Sequence, residues 1–122
     1  MGATGVADNS VTLGGSSVTA IYAAQDRGAT IYAAGLVEGS SMTLKENIAE
    51  IESPLDKLTK LRGVEFDYKS NGQHNIGLVA EEVEEVLPEL VHTTGGIKSL
   101  AYQNIVAVLV KQSKILRQKL IN

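Results

Sequence analysis

The chain has 122 residues, 43% of them hydrophobic and 20% charged, a balance that suits a small folded domain with an extension. It has no cysteine, which excludes disulfides, thiolate nucleophiles and cysteine metal sites, and its net charge of −3 offers no basic field for nucleic acid. With four Tyr, one Phe and no Trp, the core falls to Leu, Ile, Val and Ala, and a core that small makes oligomerisation a natural supplement.

Residues 1–40 hold Gly2, Gly5, Gly14, Gly15, Gly28, Gly35 and Gly39, and their only charges are Asp8, Asp26, Arg27 and Glu38. Met1-Gly2 opens into Gly- and Ala-rich sequence that reads as a piece of a longer protein. Short β-prone runs sit between turn signals: Ser10–Leu13, then Gly14-Gly15, then Ser17–Tyr22, and later Ala29–Ala34. Ile21-Tyr22-Ala23-Ala24 and Ile31-Tyr32-Ala33-Ala34 repeat one tetrapeptide. A lone hairpin of such strands is marginal in water. Two readings follow: a flexible linker, or a β-stem intertwined with copies from neighbouring chains that bury Val, Ile and Leu on a shared axis.

Residues 41–122 follow globular grammar. Leu44–Ile51 reads as a short strand or an extended arm. Ser53 is suited to cap a helix with Pro54 at its first position. That helix, Pro54–Leu61, would place Leu55, Leu58 and Leu61 on one face and end near Gly63. Val64–Tyr68 alternates as a half-buried strand, Ser70-Asn71-Gly72 is a turn, and Asn75–Val79 is a second strand, giving a hairpin. Ala80–Val86 reads as a helix with Val83, Val86 and Leu87 inward and Glu81, Glu82, Glu84 and Glu85 mostly outward, stopped by Pro88. Leu90–Thr93 and Ile97–Leu100 flank Gly95-Gly96 as a second hairpin. The fold class is α+β.

The last helix is predicted from Ala101 to about Leu120. Tyr102, Val106, Leu109, Ser113, Leu116 and Leu120 follow steps of four and three, a heptad seam with one small polar member. Lys111, Lys114, Arg117 and Lys119 crowd its last turns, where cations suit the helix dipole. So short a seam fits a trimeric bundle and also fits an ordinary amphipathic helix lying on its own domain.

Chemistry has few candidates. His74 and His92 are too far apart to suggest a metal site, no metal or cofactor is expected, and no apolar run approaches a membrane span. The N-terminus does not read as a signal peptide. The glutamates of 81–85 read as a solvated helix face. The pair that stands out is Ser40 and Lys45. A serine hydroxyl is a weak nucleophile until a base takes its proton, and a lysine can be that base where desolvation favours its neutral form. Gly39 gives backbone freedom just before the serine. Taken alone, a Ser five residues from a Lys is ordinary surface decoration.

Three motifs in order add to this: Leu44-Lys45-Glu46-Asn47-Ile48; Leu58-Thr59-Lys60-Leu61-Arg62-Gly63-Val64-Glu65-Phe66-Asp67-Tyr68; and the run from His74 to Val91, which includes Asn75-Ile76-Gly77-Leu78-Val79-Ala80 and Glu85-Val86-Leu87-Pro88. With the terminal helix they resemble the peptidase S74 family, the intramolecular chaperone domains of endosialidases and of other phage tail spikes, tail fibres and neck appendages. The resemblance covers residues 40–122. It implies a division at residue 40, with 1–40 the end of a trimeric β-stem and 41–122 the chaperone domain. The domain would trimerise, bring its own stem into register as its folding client, and cut itself off once, without turnover. The family pattern at the cut is Ser-Asp-x-Arg-Leu-Lys. Ser40 and Lys45 match its serine and lysine, the cut falls next to Ser40, at Ser40–Ser41, and His74 matches a histidine of the His-x-x-Gly segment. The seam residues are Tyr102, Val106, Leu109, Leu116 and Leu120. The implied location is the virion, with the chaperone made in the host cytoplasm and released after cleavage. Ser41 stands where the family has Asp, Thr43 where it has Arg, and Glu81 where Gln is common. A permanent, non-cleaving trimeric cap is the alternative reading, and a receptor-binding tip a third.

Overall fold

The computed structural model describes residues 5–121. Residues 1–4 and 122, which include Gly2 and the beginning of the expected stem, lie outside the described residues. The chain divides into two units, one running to Leu36 and the other from Val37 onward.

In the first unit two turns close, one just after the expected Gly14-Gly15 turn and one that the sequence reading did not name. The Val18 amide donates to the Gly15 carbonyl at 3.1 Å, and the Arg27 amide to that of Ala24 at 3.2 Å. Arg27 lies over the Tyr22 ring at 4.8 Å. No strand forms among residues 5–36 of the single chain, so the runs expected as strands carry no ladder here. The physical reason is the lack of a partner, because a strand is held by the N–H and C=O groups of another strand. Val11, Ile21, Ile31 and Tyr32 are accordingly exposed.

The second unit is a small α+β body. It begins with a single 3-10 turn at Met42–Leu44, followed by an arm without strand or helix up to Ser53. Helix α1 (Pro54–Leu58) starts on a buried proline, whose fixed φ and missing N–H suit the first helical turn. Ser53 occupies the N-cap position but makes no side-chain cap, because its backbone is left-handed at φ 50°. The chain then forms β1 (Val64–Asp67) and β2 (His74–Gly77), paired antiparallel with Val64 opposite Gly77 and Asp67 opposite His74. Val64 and Phe66 are half-buried while Glu65 and Asp67 are exposed, the alternation that a period of two dictates.

Helix α2 (Ala80–Glu84) follows, then a 3-10 turn at Pro88–Leu90 and a second hairpin, β3 (Val91–Thr94) with β4 (Ile97–Leu100). Its two-residue turn, Gly95-Gly96, has φ of 59° and 77°, both left-handed as a type I′ turn requires. The long helix α3 (Ile105–Ile121) ends the chain's described part. It starts four residues later than the heptad reading expects, because Tyr102–Asn104 forms a 3-10 turn.

The core is Val83, Leu87, Leu90 and Val108, all under one-tenth exposed, with Ile51, Leu58, Leu61, Leu78, Val86, Val91, Leu100 and Ile105 packed around them. Helix α1 packs on α3, and α2 on the second hairpin. Arg62 grips Glu82 through two hydrogen bonds of 2.8 Å, tying the segment after α1 to α2. Tyr102 ties the start of the helical region to the first hairpin: its hydroxyl accepts from the Leu78 amide at 2.9 Å and donates to the Leu78 carbonyl at 3.1 Å. A Cβ on Gly77 would lie 2.5 Å from that hydroxyl, so a side chain there would push Tyr102 off Leu78.

Candidate active site

Ser40 and Lys45 are drawn together by one tight turn. The Ser41 hydroxyl accepts from the Thr43 amide at 3.2 Å and pairs with the Thr43 hydroxyl at 2.9 Å, capping the Met42–Leu44 turn. The Leu44 amide donates to the Ser41 carbonyl at 3.0 Å and the Lys45 amide to that of Met42 at 3.1 Å. Once the backbone has closed in this way, Lys45 is extended, at φ −128° and ψ 152°. Its Nζ donates to Ser40 Oγ at 2.7 Å. Both side chains are exposed in the single chain. To act as a base, the lysine would have to shed a proton and accept the hydroxyl proton in its place.

His74 does not join them. It sits at the first position of β2, opposite Asp67. Its Nδ1 is 2.7 Å from Asp67 Oδ1 and its Nε2 is 3.1 Å from Glu65 Oε1. Both ring nitrogens are therefore engaged by carboxylates of its own hairpin. The Asp67 hydrogen bond first, and the Glu65 bond second, raise its pKa above the ordinary histidine value. The carboxylates occupy opposite sides of the ring, so the three groups do not converge on one point. Among the described residues no group of three His, Asp or Glu side chains could hold a metal ion.

Helix α3 carries two stripes. Ile105, Val108, Gln112 and Ile115 are the members that turn toward the domain, with Val108 fully inside. One position further round lie Val106, Leu109, Ser113 and Leu116, all exposed. Val106 is 57% exposed, Leu109 51% and Leu116 53%, and Leu120 is more exposed still. Tyr102, the first seam residue, is about half exposed and spends its hydroxyl on Leu78. Beside this stripe an apolar groove of about 710 Å³ opens between α3 and the first hairpin, with Val64, Ile76, Leu78, Val106 and Leu109 in its walls.

The capping role of Ser41 and the clasp on His74 escaped the motif reading. The second had a usable signal: strand alternation puts Glu65 and Asp67 on one face, and a hairpin brings His74 opposite. The first had a weaker one, a Ser-x-Thr spacing at the start of a turn.

Residues 40–92 match the model of the Peptidase S74 family, described as chaperone of endosialidase. The chain is similar to the long tail fiber protein Gp37 of Salmonella phage S16, 33% identical over 93 residues, which are 66% of this chain and 12% of that protein. It is also similar to the long tail fiber proteins Gp37 of Enterobacteria phages K3 and T2, each 36% identical over 87 residues, or 63% of this chain. The chain thus spans only 12%, 7% and 6% of the lengths of these three relatives.

Proposed function

We propose that this chain, whose residues 40–92 match the model of the Peptidase S74, chaperone-of-endosialidase family, is the self-cleaving chaperone end of a phage tail fibre. In this reading residues 41–122 associate as a homotrimer and bring three copies of the segment 1–40 into register as a β-stem, after which the chain is cut next to Ser40. The finished fibre belongs to the virion. The single observation that carries the chemical part is the 2.7 Å contact between Lys45 Nζ and Ser40 Oγ. The exposed apolar stripe on α3 supports the association.

The order of events follows from physics. Short Gly-rich strands specify register poorly, and aligning three chains is costly in entropy. A domain that associates first raises the effective concentration of the strands. Its removal takes away the route back, so unfolding slows even at unchanged equilibrium stability.

The bond chemistry narrows the nucleophile. Cleavage of Ser40–Ser41 breaks the bond from the Ser40 carbonyl carbon to the Ser41 nitrogen. Attack there by the same residue's own Oγ would close a four-membered ring. The attacking oxygen is therefore water or the Ser40 hydroxyl of a second copy, with Lys45 taking its proton and the Ser41 amine receiving one; in the second case an ester between the two copies forms and water then hydrolyses it. Attack by Ser40 Oγ on the Gly39 carbonyl would close a five-membered ring, break the bond to the Ser40 nitrogen and leave the Gly39 acyl group on Oγ as an ester, so that hydrolysis of that ester by water cuts one bond earlier. Intact mass of the purified chain under denaturing conditions separates these: a fragment of residues 41–122 marks the first cut, and one of residues 40–122 the second. Ser40→Ala should remove either fragment where the Ser40 hydroxyl is the attacking group, and should leave the 41–122 fragment where water is. A wild-type chain that stays whole after trimerisation would instead make the domain a permanent cap.

A further inference from the structure

The arm between the Ser40–Lys45 turn and α1 has no strand or helix of its own, yet it carries the lysine of the dyad. Its two bends are left-handed residues, Asn47 at φ 54° and Ser53 at φ 50°. Between them lie two anchors. Ile51 packs against the core. Glu50 meets two lysines of α3: Lys111 Nζ stands 3.4 Å from Oε2, and Lys114 Nζ 3.8 Å from Oε1. These are ion pairs rather than close hydrogen bonds. The Lys111 side chain is only 23% exposed, so one of the two cations is held in a partly shielded place.

We propose that Glu50 is a positioning residue: clasped by Lys111 and Lys114, it fixes the Lys45 arm to helix α3 and so couples the dyad to the helix that carries the exposed apolar stripe. This rests on the self-cleavage reading above. The clasp and the stripe do not compete. Lys111 follows Leu109 by two residues, about 200° round the helix, so the stripe can be covered by another copy while Glu50 stays bound. Burial of the stripe fixes α3, and the clasp passes that order to the arm five residues beyond Lys45. Glu50 touches neither Ser40 nor Lys45, so its effect runs through the arm alone.

The test compares cleavage rates of the full chain at low and high salt. Glu50→Gln should slow cleavage about two- to five-fold at low salt, the range open to an exposed ion pair. The wild-type rate should fall toward the variant's in 1 M salt, while the variant changes little. Glu50→Lys should slow it further, and Glu50→Lys combined with Lys111→Glu and Lys114→Glu should restore it. A Glu50→Gln rate equal to wild type at low salt, or a triple variant as slow as Glu50→Lys, would overturn the proposal. Amide exchange at Leu44 and Lys45 keeps the test independent of chemistry. Those amides should exchange faster in Glu50→Gln, and unchanged exchange would sink the clasp. A wild-type chain that never cleaves would remove the self-cleavage reading, and the exchange result would still decide whether Glu50 holds the arm.

Discussion

Lys45 Nζ donates to Ser40 Oγ at 2.7 Å although five residues separate the two in the chain. An extended chain rises about 3.3 Å per residue, so five extended residues would put the two backbones about 16 Å apart. The turn at Met42–Leu44 removes that separation. The contact is thus a product of local backbone geometry, and it is made within the single chain. What a neighbour would add is the exclusion of water from a pair that is exposed in the single chain.

In the proposed self-cleavage Lys45 acts as a proton acceptor, which would separate it from a mere cationic contact. Lys45→Arg keeps a positive donor near Ser40, but guanidinium stays protonated at any pH of interest. Cleavage should be lost in Lys45→Arg as fully as in Lys45→Ala. Normal cleavage in Lys45→Arg, followed by intact mass over time, would leave lysine with no part as a base.

Ser41 stands where the resemblance implies an acid, and its hydroxyl caps the turn that brings Lys45 to Ser40. Ser and Asp are comparable N-caps, whereas Ala is not, at a cost of about 1 kcal/mol. Ser41→Asp should therefore cleave at least as fast as wild type, and Ser41→Ala about five- to ten-fold more slowly. Equal rates for Ser41→Ala and wild type would mean that the turn holds without its cap.

The exposed stripe of α3 should be the association surface. Each Leu or Val moved from water into an interface contributes about 1.5–3 kcal/mol before the costs of association. Leu109→Asp with Leu116→Asp puts two carboxylates into that surface without touching Val83, Leu87, Leu90 or Val108. Sedimentation should report a folded single subunit, with cleavage greatly slowed. A trimer that survives both substitutions would place the contact elsewhere, and full cleavage by a single subunit would uncouple the chemistry from assembly.

The hairpin β1–β2 should respond to pH through His74. Its pKa is raised in the folded state by Asp67 and Glu65. The resulting stabilisation is fully present below the unfolded-state value of about 6.5 and is lost as pH rises through the higher folded value. An NMR titration of the His74 ring should give a midpoint above 6.5 that drops in Asp67→Asn. A midpoint at or below 6.5 in the wild type would show that the carboxylates do not hold the ring in solution.

The sequence by itself determined the elements whose causes are local. Gly95-Gly96 made the second turn, Pro54 started α1, and the alternation of Val64–Asp67 made a strand. The steps of four and three along α3 marked a stripe that the fold leaves exposed. Only the tertiary structure decided which stripe of α3 faces inward, because Ile105–Ile115 and Val106–Leu116 run with the same spacing one residue apart. The side with a core to cover was settled by α1 and α2 packing from distant parts of the chain. The same holds for Glu50, whose partners stand some sixty residues away on α3, and for His74, whose ring went to Asp67 and Glu65. Periodicity records which residues share a face, whereas the partner of that face depends on where the rest of the chain folds back.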